Sequence, residues 1–419
     1  MLANYVKNRR RDGSHLKADG SAPASSAQDI VPGLMLSGGG ARNAYQVGVL
    51  KAIAENLPEG APSPFKVISG TSAGAINAGG IASRAHNFSS AVDDLADAWG
   101  NLHIHDIYRT DKVSSISAAV STIWKLVRGK QTEDHMRSLL NNQPLRELLL
   151  SHIQFDDIQP HIDAGHLDAV AFNTSSYTSG KSVSYFMGND NIQEWNTARR
   201  RGVRDNLTVE HLMGSAAIPM IFPAIRIRND YQGDGALRQT SPLSPLLAMG
   251  ANRLLVIGVS NSSTEMDTPN TIARPYPTIG QISGYLFESL FLESLDADLE
   301  RLEHYNTLLR NVPGRHVQLD GSVIQPVDTV VISPSVDVRE IVARHVHRFP
   351  KSMNVVLRVL GANKPEGRQI SSYLLFESSF CQELIELGYS DGKANMRSIN
   401  RLFAPTSVQN ETANVQTGS

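Results

Sequence analysis

Cysteine is almost missing from this sequence: its 419 residues contain one, Cys381. A disulfide framework within the chain is thereby excluded, and a cysteine-ligated zinc site lacks its ligands. The lone thiol reads as a buried apolar residue. A dominant charge is also missing. Lys and Arg number 39 against 41 Asp and Glu, a net charge of −2 with a pI near 6.7. General nucleic-acid binders are far more basic, so no nucleic-acid partner is expected. No apolar run reaches the ~18 residues that a membrane-crossing helix needs. The basic stretch with Lys7, Arg9, Arg10 and Arg11 is not followed by the apolar core of a signal peptide. The expectation is a cytoplasmic protein, with peripheral contact at a membrane left open. What is present is a 41% hydrophobic content beside 19% charged residues, enough for a sizeable core and too much for a wholly disordered chain.

The signals along the chain divide it. Residues 1–30 read as a polar tail and 405–419 as another. Between them lie a core over 31–250 and a further α/β and helical part over 251–404 packed on it. Short apolar runs at Gly33–Ser37, Phe65–Ser69, Leu167–Asn173, Ser182–Met187, Arg253–Ser260 and Asp328–Ser333 read as strands. Ala44–Glu55 and Ser72–Arg84 carry helical spacing. Strands alternating with helices predict an α/β fold, a three-layer sandwich with a central, mainly parallel sheet. Ile282–Leu309 predicts a long amphipathic helix, with Leu292, Leu295, Leu299 and Leu302 on one face beside Phe291. Glu293, Asp296 and Glu300 on its other side disfavour anionic lipid, so this helix is expected on the sheet. Ser371–Gly388 predicts a further helix, with Gly388 as its stop.

Chemistry concentrates in three glycine-rich segments. Gly70-Thr71-Ser72-Ala73-Gly74 follows a strand and opens a helix. This is the G-x-S-x-G pattern in strand–turn–helix context, where a sharp turn exposes the serine hydroxyl. Gly70 and Gly74 let strand and helix approach, and the helix N-terminus offers amides to developing negative charge. Ser72 is the candidate nucleophile. The second segment, Ser37-Gly38-Gly39-Gly40-Ala41-Arg42-Asn43, also joins a strand to a helix. Amides of Gly38, Gly39 and Gly40 can converge on one oxygen and suit an oxyanion hole. The same loop partly fits a phosphate-binding fingerprint, but Asn43 stands where its third glycine belongs. Arg42 would hold the loop or meet a phosphate. The third segment is Gly233-Asp234-Gly235-Ala236. Asp234 is either a turn aspartate or, if burial raises its pKa, a base able to take the Ser72 proton.

Together, GGGARN, GTSAG and DGA, in that order, resemble the patatin-like phospholipase family, and the similarity extends to Gly214-Ser215-Ala216-Ala217-Ile218-Pro219. The resemblance implies a patatin-like fold and a serine lipid acyl hydrolase of phospholipase A or lysophospholipase type. Ser72 would be the nucleophile and Asp234 the proton acceptor, with Gly38, Gly39 and Gly40 as oxyanion loop. Arg42, Asn43, Gly70, Gly74, Gly235 and Ala236 would support them. It implies no cofactor and no metal, and a phospholipid or lysophospholipid as partner. Asn43 departs from the family's usual glycine, although asparagine tolerates left-handed backbone. Two other readings stand beside it: a catalytically silent relative, and a nucleotide- or phosphate-binding regulator using the Gly-rich loop. His304, His316, His345 and His347 follow Asp234 and could complete a Ser–His–Asp triad, but none has a recognisable context. His103 and His105 with Asp106, or His345 and His347, have spacing for a metal without a visible partner set. Arg199, Arg200, Arg201 and Arg204 form a local basic cluster suited to a solvated face or to lipid headgroups.

Overall fold

A computed structural model describes residues 30–109, 138, 140–219, 221–260, 293–311, 317–319, 322–324, 326–359 and 368–404. The expectations for the two polar tails, for Phe291 and Leu292, and for His316 lie outside these residues. Among the described residues, twelve strands form: β1 (Pro32–Leu36), β2 (Val67–Thr71), β3 (Ala169–Ser176), β4 (Ser182–Gly188), β5 (Trp195–Asn196), β6 (Arg200–Arg204), β7 (Ile225–Ile227), β8 (Asp230–Asp234), β9 (Arg253–Ile257), β10 (Val317–Leu319), β11 (Ser322–Ile324) and β12 (Asp328–Ile332). Ten belong to one sheet in the order β12-β9-β1-β2-β3-β4-β6-β5, with β8 on β3 and β7 on β8; β10 and β11 form a separate hairpin. The run from β12 to β3 is parallel. β4 turns antiparallel to β3.

The central strands are apolar on both sides because both sides are covered. Leu34, Leu36, Ile68, Leu255 and Ile257 point into one core and Met35, Val67, Leu254 and Val256 into the other, the alternation that a strand imposes. Helices α1 (Ala44–Ala54), α2 (Ala73–Ala82) and α3 (Phe88–Gly100) belong to the first core. They are joined there by α4 (Gln143–His152), α5 (Val209–Ser215), α8 (Arg368–Leu374) and α9 (Ser378–Ala394). The second core is closed by α6 (Ser244–Ala248) and α7 (Glu293–Arg310). Leu295, Leu299 and Leu302 of α7 pack there, so the described part of this helix lies on the sheet as its leucine stripe predicts. The result is an α/β fold of three layers with a mainly parallel central sheet.

Gly388 does not stop a helix. It lies inside α9, and the break in the expected Ser371–Gly388 helix falls instead between Leu374 and Ser378. A Cβ on Gly388 would stand 2.0 Å from the Tyr45 carbonyl oxygen, and one on Gly48 would stand 2.0 Å from that of Ile385. The two glycines let α1 and α9 cross at backbone contact, a role that helical spacing alone does not reveal.

One feature of β3 positions the site. Its first five residues, Ala169–Asn173, pair with β2 as far as Thr71. Its next residues, Thr174–Ser176, pair with β8 from Asp234 backwards. Where β2 ends, β8 takes over the same edge, so the residue after Thr71 and the last residue of β8 come together.

Candidate active site

Ser72 is the residue after Thr71. It carries φ 55 and ψ −130 at the N-cap of α2. A left-handed backbone at a non-glycine residue is strained by ~1–3 kcal/mol and persists where its surroundings hold it. The surroundings are specific. A Cβ on Gly70 would lie 2.4 Å from the Gly74 oxygen, and one on Gly74 would lie 2.3 Å from the Leu36 oxygen. Both glycines are therefore required by close backbone approach. The Ser72 amide donates to Ser215 Oγ at 2.9 Å, and Ser215 Oγ donates to the Asn173 carbonyl at 2.6 Å. Asn173 Nδ2 donates to Gly70 O at 2.9 Å and reaches Thr71 Oγ1 at 3.2 Å. The turn is thus tied to α5 and to β3.

Ser72 Oγ donates to Asp234 Oδ2 at 2.6 Å, and Asp234 Oδ1 accepts from the Ala236 amide at 3.0 Å. Asp234 is 1% exposed. Burial pushes its pKa up to about 7, against the opposing pull of its hydrogen bonds from Ser72 and Ala236. A carboxyl poised there can accept a proton near neutrality. Gly235 cannot carry a side chain, because a Cβ would lie 2.3 Å from the Asn173 oxygen. The histidines of the triad reading are elsewhere: His304 and His347 are exposed, and His345 bonds Glu383 Oε2 at 2.7 Å. His103 and His105 stack on each other with centroids 5.4 Å apart. Among the described residues no group of three His, Cys, Asp or Glu is placed to hold a metal.

The Gly-rich loop runs beside the serine, and Gly40 and Ser72 line the same cavity. Gly40 takes φ 56, and a Cβ on it would stand 2.2 Å from the Tyr373 carbonyl oxygen of α8. Among the described residues, the amides of Gly38, Gly39 and Gly40 are given to no backbone acceptor. Asn43 is not left-handed: its φ of −68 and ψ of −10 are ordinary helical values. Its side chain acts instead, with Nδ2 donating to the Ser37 carbonyl at 2.7 Å and to Gln46 Oε1 at 2.9 Å. Gln46 Nε2 reaches the same Ser37 oxygen at 3.0 Å, and Asn77 bridges Gln46 and the Asn43 carbonyl. Arg42 is 2% exposed. Its Nε donates to Ser372 Oγ at 2.7 Å, and its guanidinium carbon lies 4.2 Å from the Tyr373 ring centroid. The guanidinium is committed to the back of the loop rather than open to a phosphate.

From Ser72 a cavity of about 80 Å³ extends along α2 past Ala73, Ile76 and Gly80. Its walls are apolar: Leu95 and Trp99 of α3, Leu145 and Leu149 of α4, and Phe222 and Phe376. Trp99 is fixed by donating its indole N–H to Asn77 Oδ1 at 2.8 Å. Such a wall suits a hydrocarbon chain. The basic cluster is not part of it. Arg204 is spent on β4, donating to the Asn189 carbonyl at 2.9 Å and covering the Phe186 ring at 5.1 Å.

The profile described as patatin-like phospholipase matches residues 34–247. That span holds the loop, the elbow and Asp234, and it covers half of the protein. The chain belongs to the patatin-like phospholipase family. No curated protein sequence matches this patatin-like chain. Solved structures similar to it include VipD from Legionella pneumophila, at 12% identity and TM-score 0.35, covering 86% of this chain and 67% of that one. Human GIVD cytosolic phospholipase A2 in complex with methyl gamma-linolenyl fluorophosphonate is similar at 12% identity and TM-score 0.37, covering 96% of this chain and 62% of that one. The same human enzyme with terbium chloride also present gives 12% identity and TM-score 0.36, with 89% and 59% covered. The patatin-like chain therefore spans about three fifths of the human enzyme's length.

Serine, aspartate and glycine loop, all singled out in the sequence, come together. Ser215, Asn173, Gln46 and Tyr373 join them without having been singled out. Ser215 stands in the quoted Gly214–Pro219 run, where one hydroxyl among small residues is the only mark it carries. Asn173 is a polar side chain at the end of an apolar strand, a visible if weak signal. Tyr373 lies far along the chain and carries none.

Proposed function

We propose that this protein is a serine acyl hydrolase that cleaves fatty-acyl esters of phospholipids or lysophospholipids through a Ser72–Asp234 dyad. The observation that carries this reading is the 2.6 Å hydrogen bond from Ser72 Oγ to a buried carboxyl whose pKa is about 7. Ser72 Oγ attacks the ester carbonyl carbon while its proton passes to Asp234. The oxyanion takes hydrogen bonds from the Gly38, Gly39 and Gly40 amides, beside the N-terminal end of α2. Collapse of the tetrahedral intermediate expels the alcohol, which receives the proton from Asp234. Water then gives a proton to Asp234 and attacks the acyl-enzyme, and the fatty acid leaves as Ser72 recovers its hydrogen. The apolar cavity holds the acyl chain. The scheme draws on no metal or cofactor.

Two features favour this over a nucleotide- or phosphate-binding regulator: the buried position of Arg42, and the apolar walls beside Ser72. No helix among the described residues is long and apolar enough to cross a membrane. The enzyme is proposed to work in the cytoplasm and to meet lipid peripherally at a membrane surface. Incubation with phosphatidylcholine and lysophosphatidylcholine vesicles tests the function. Fatty acid released by the parent protein and not by Ser72→Ala supports it, and equal release by both proteins rejects it.

A further inference from the structure

The acyl cavity has a polar end. Its wall along α2 is one helical stripe, Ala73, Ile76 and Gly80, which continues to Arg84 just beyond the helix. There Arg84 Nη1 pairs with Asp94 Oδ2 of α3, and His152 of α4 also lines the cavity. The pair is about one third to one half exposed, with side chains 34% and 45% accessible. The apolar passage thus reaches an ion pair whose side chains are only partly open to water.

We propose that the Arg84–Asp94 pair is the stop of an acyl-chain ruler, an inference that rests on the hydrolase reading above. The helical wall from Ala73 to Ala82 is about 13–14 Å long at ~1.5 Å of rise per residue. A chain lying along this wall meets the ion pair at one length, which the helix sets. Each methylene up to that length gains apolar contact. A longer chain must drive its end against the ion pair, stripping water from charges without replacing it by hydrogen bonds. Long chains therefore gain nothing beyond the stop.

Binding separates the ruler from the chemistry. In Ser72→Ala protein, a change in tryptophan emission that Trp99→Phe abolishes reports ligands reaching Trp99, and the ligands are methyl esters of saturated acids of roughly six to eighteen carbons. Affinity should rise several-fold per methylene, then level off at one chain length. In the same background, the double substitution Arg84→Ala with Asp94→Ala should let affinity keep rising past the break. A half-exposed pair contributes little to folding, so the double variant is expected to melt like its parent. Ala98→Leu, in mid-passage, is the second probe and should move the break to shorter chains. Affinity that climbs without a break in Ser72→Ala, or a break unmoved in both variants, overturns the ruler. A break that moves as expected, in a protein whose Ser72 form hydrolyses none of these esters, sinks the hydrolase reading and leaves the ruler standing.

Discussion

Ser72 and Asp234 are 162 residues apart in the chain and 2.6 Å apart in space, Oγ to Oδ2. The cause is the register of one strand. β3 holds the end of β2 against Asn173 and the end of β8 against Thr174. Neighbouring residues of β3 therefore set the spacing of Ser72 and Asp234, and the Ser215 bridge from the Ser72 amide to the Asn173 carbonyl fixes it.

Activity should depend on pH through Asp234. The carboxylate form accepts the proton, and burial raises its pKa to about 7. The acid limb of log kcat/KM should have unit slope and bend near pH 7, well above the ordinary carboxyl range. A short-chain nitrophenyl ester measures this. A bend at the ordinary value would remove Asp234 as a desolvated base.

Stability should respond to the same group with the opposite sense. A raised folded pKa means that the folded state binds the proton more tightly than the unfolded chain, so this group's contribution is full below its ordinary value of 3.8 and is lost as pH rises through about 7. Asp234→Asn never ionises. Its melting temperature relative to the parent should rise between about pH 5 and about pH 8, while its turnover falls by ~10²–10⁴-fold. Parallel melting curves across that window would contradict the assignment.

Arg42 should act on kcat through the loop it backs. Arg42→Lys loses the flat stack on Tyr373 and the fixed Nε donor to Ser372. We expect kcat to fall by ~10–100-fold with KM little changed, less than removal of an oxyanion donor itself. Loss confined to KM would place Arg42 in substrate binding instead.

Ser215→Ala should weaken both fold and turnover. It leaves the Ser72 amide and the Asn173 carbonyl without their shared partner in a buried place. The expected loss of stability is ~1–3 kcal/mol, read by denaturant unfolding, with a lower kcat. Unchanged stability would mean that water replaces the hydroxyl.

The sequence is legible where local pattern decides structure. The G-x-S-x-G turn needs a strand before it and a helix after it, and both are visible in apolar spacing. The continuous apolar runs of β1 and β9 announce strands covered on both faces. The three glycine-rich segments stand out in the sequence, so Ser72 and Asp234 draw notice there although their 2.6 Å contact does not show. What is not legible depends on partners distant in the chain. Gly388 looks like a helix stop because its close neighbour, the Tyr45 carbonyl, is hundreds of residues away. Asn43 looks like a left-handed substitute for glycine because the Ser37 and Gln46 contacts of its side chain do not show in a spacing pattern. Tyr373 closes the loop from a helix outside the matched family span.

Ser72 is proposed as an activated nucleophile with Asp234 as its base. Labelling with a fluorophosphonate, followed by mass spectrometry of the digested protein, tests it most directly. One phosphonylated site is expected, at Ser72, absent in Ser72→Ala and strongly slowed in folded Asp234→Asn. Folded parent protein that stays unlabelled, or carries the label on another residue, would contradict it.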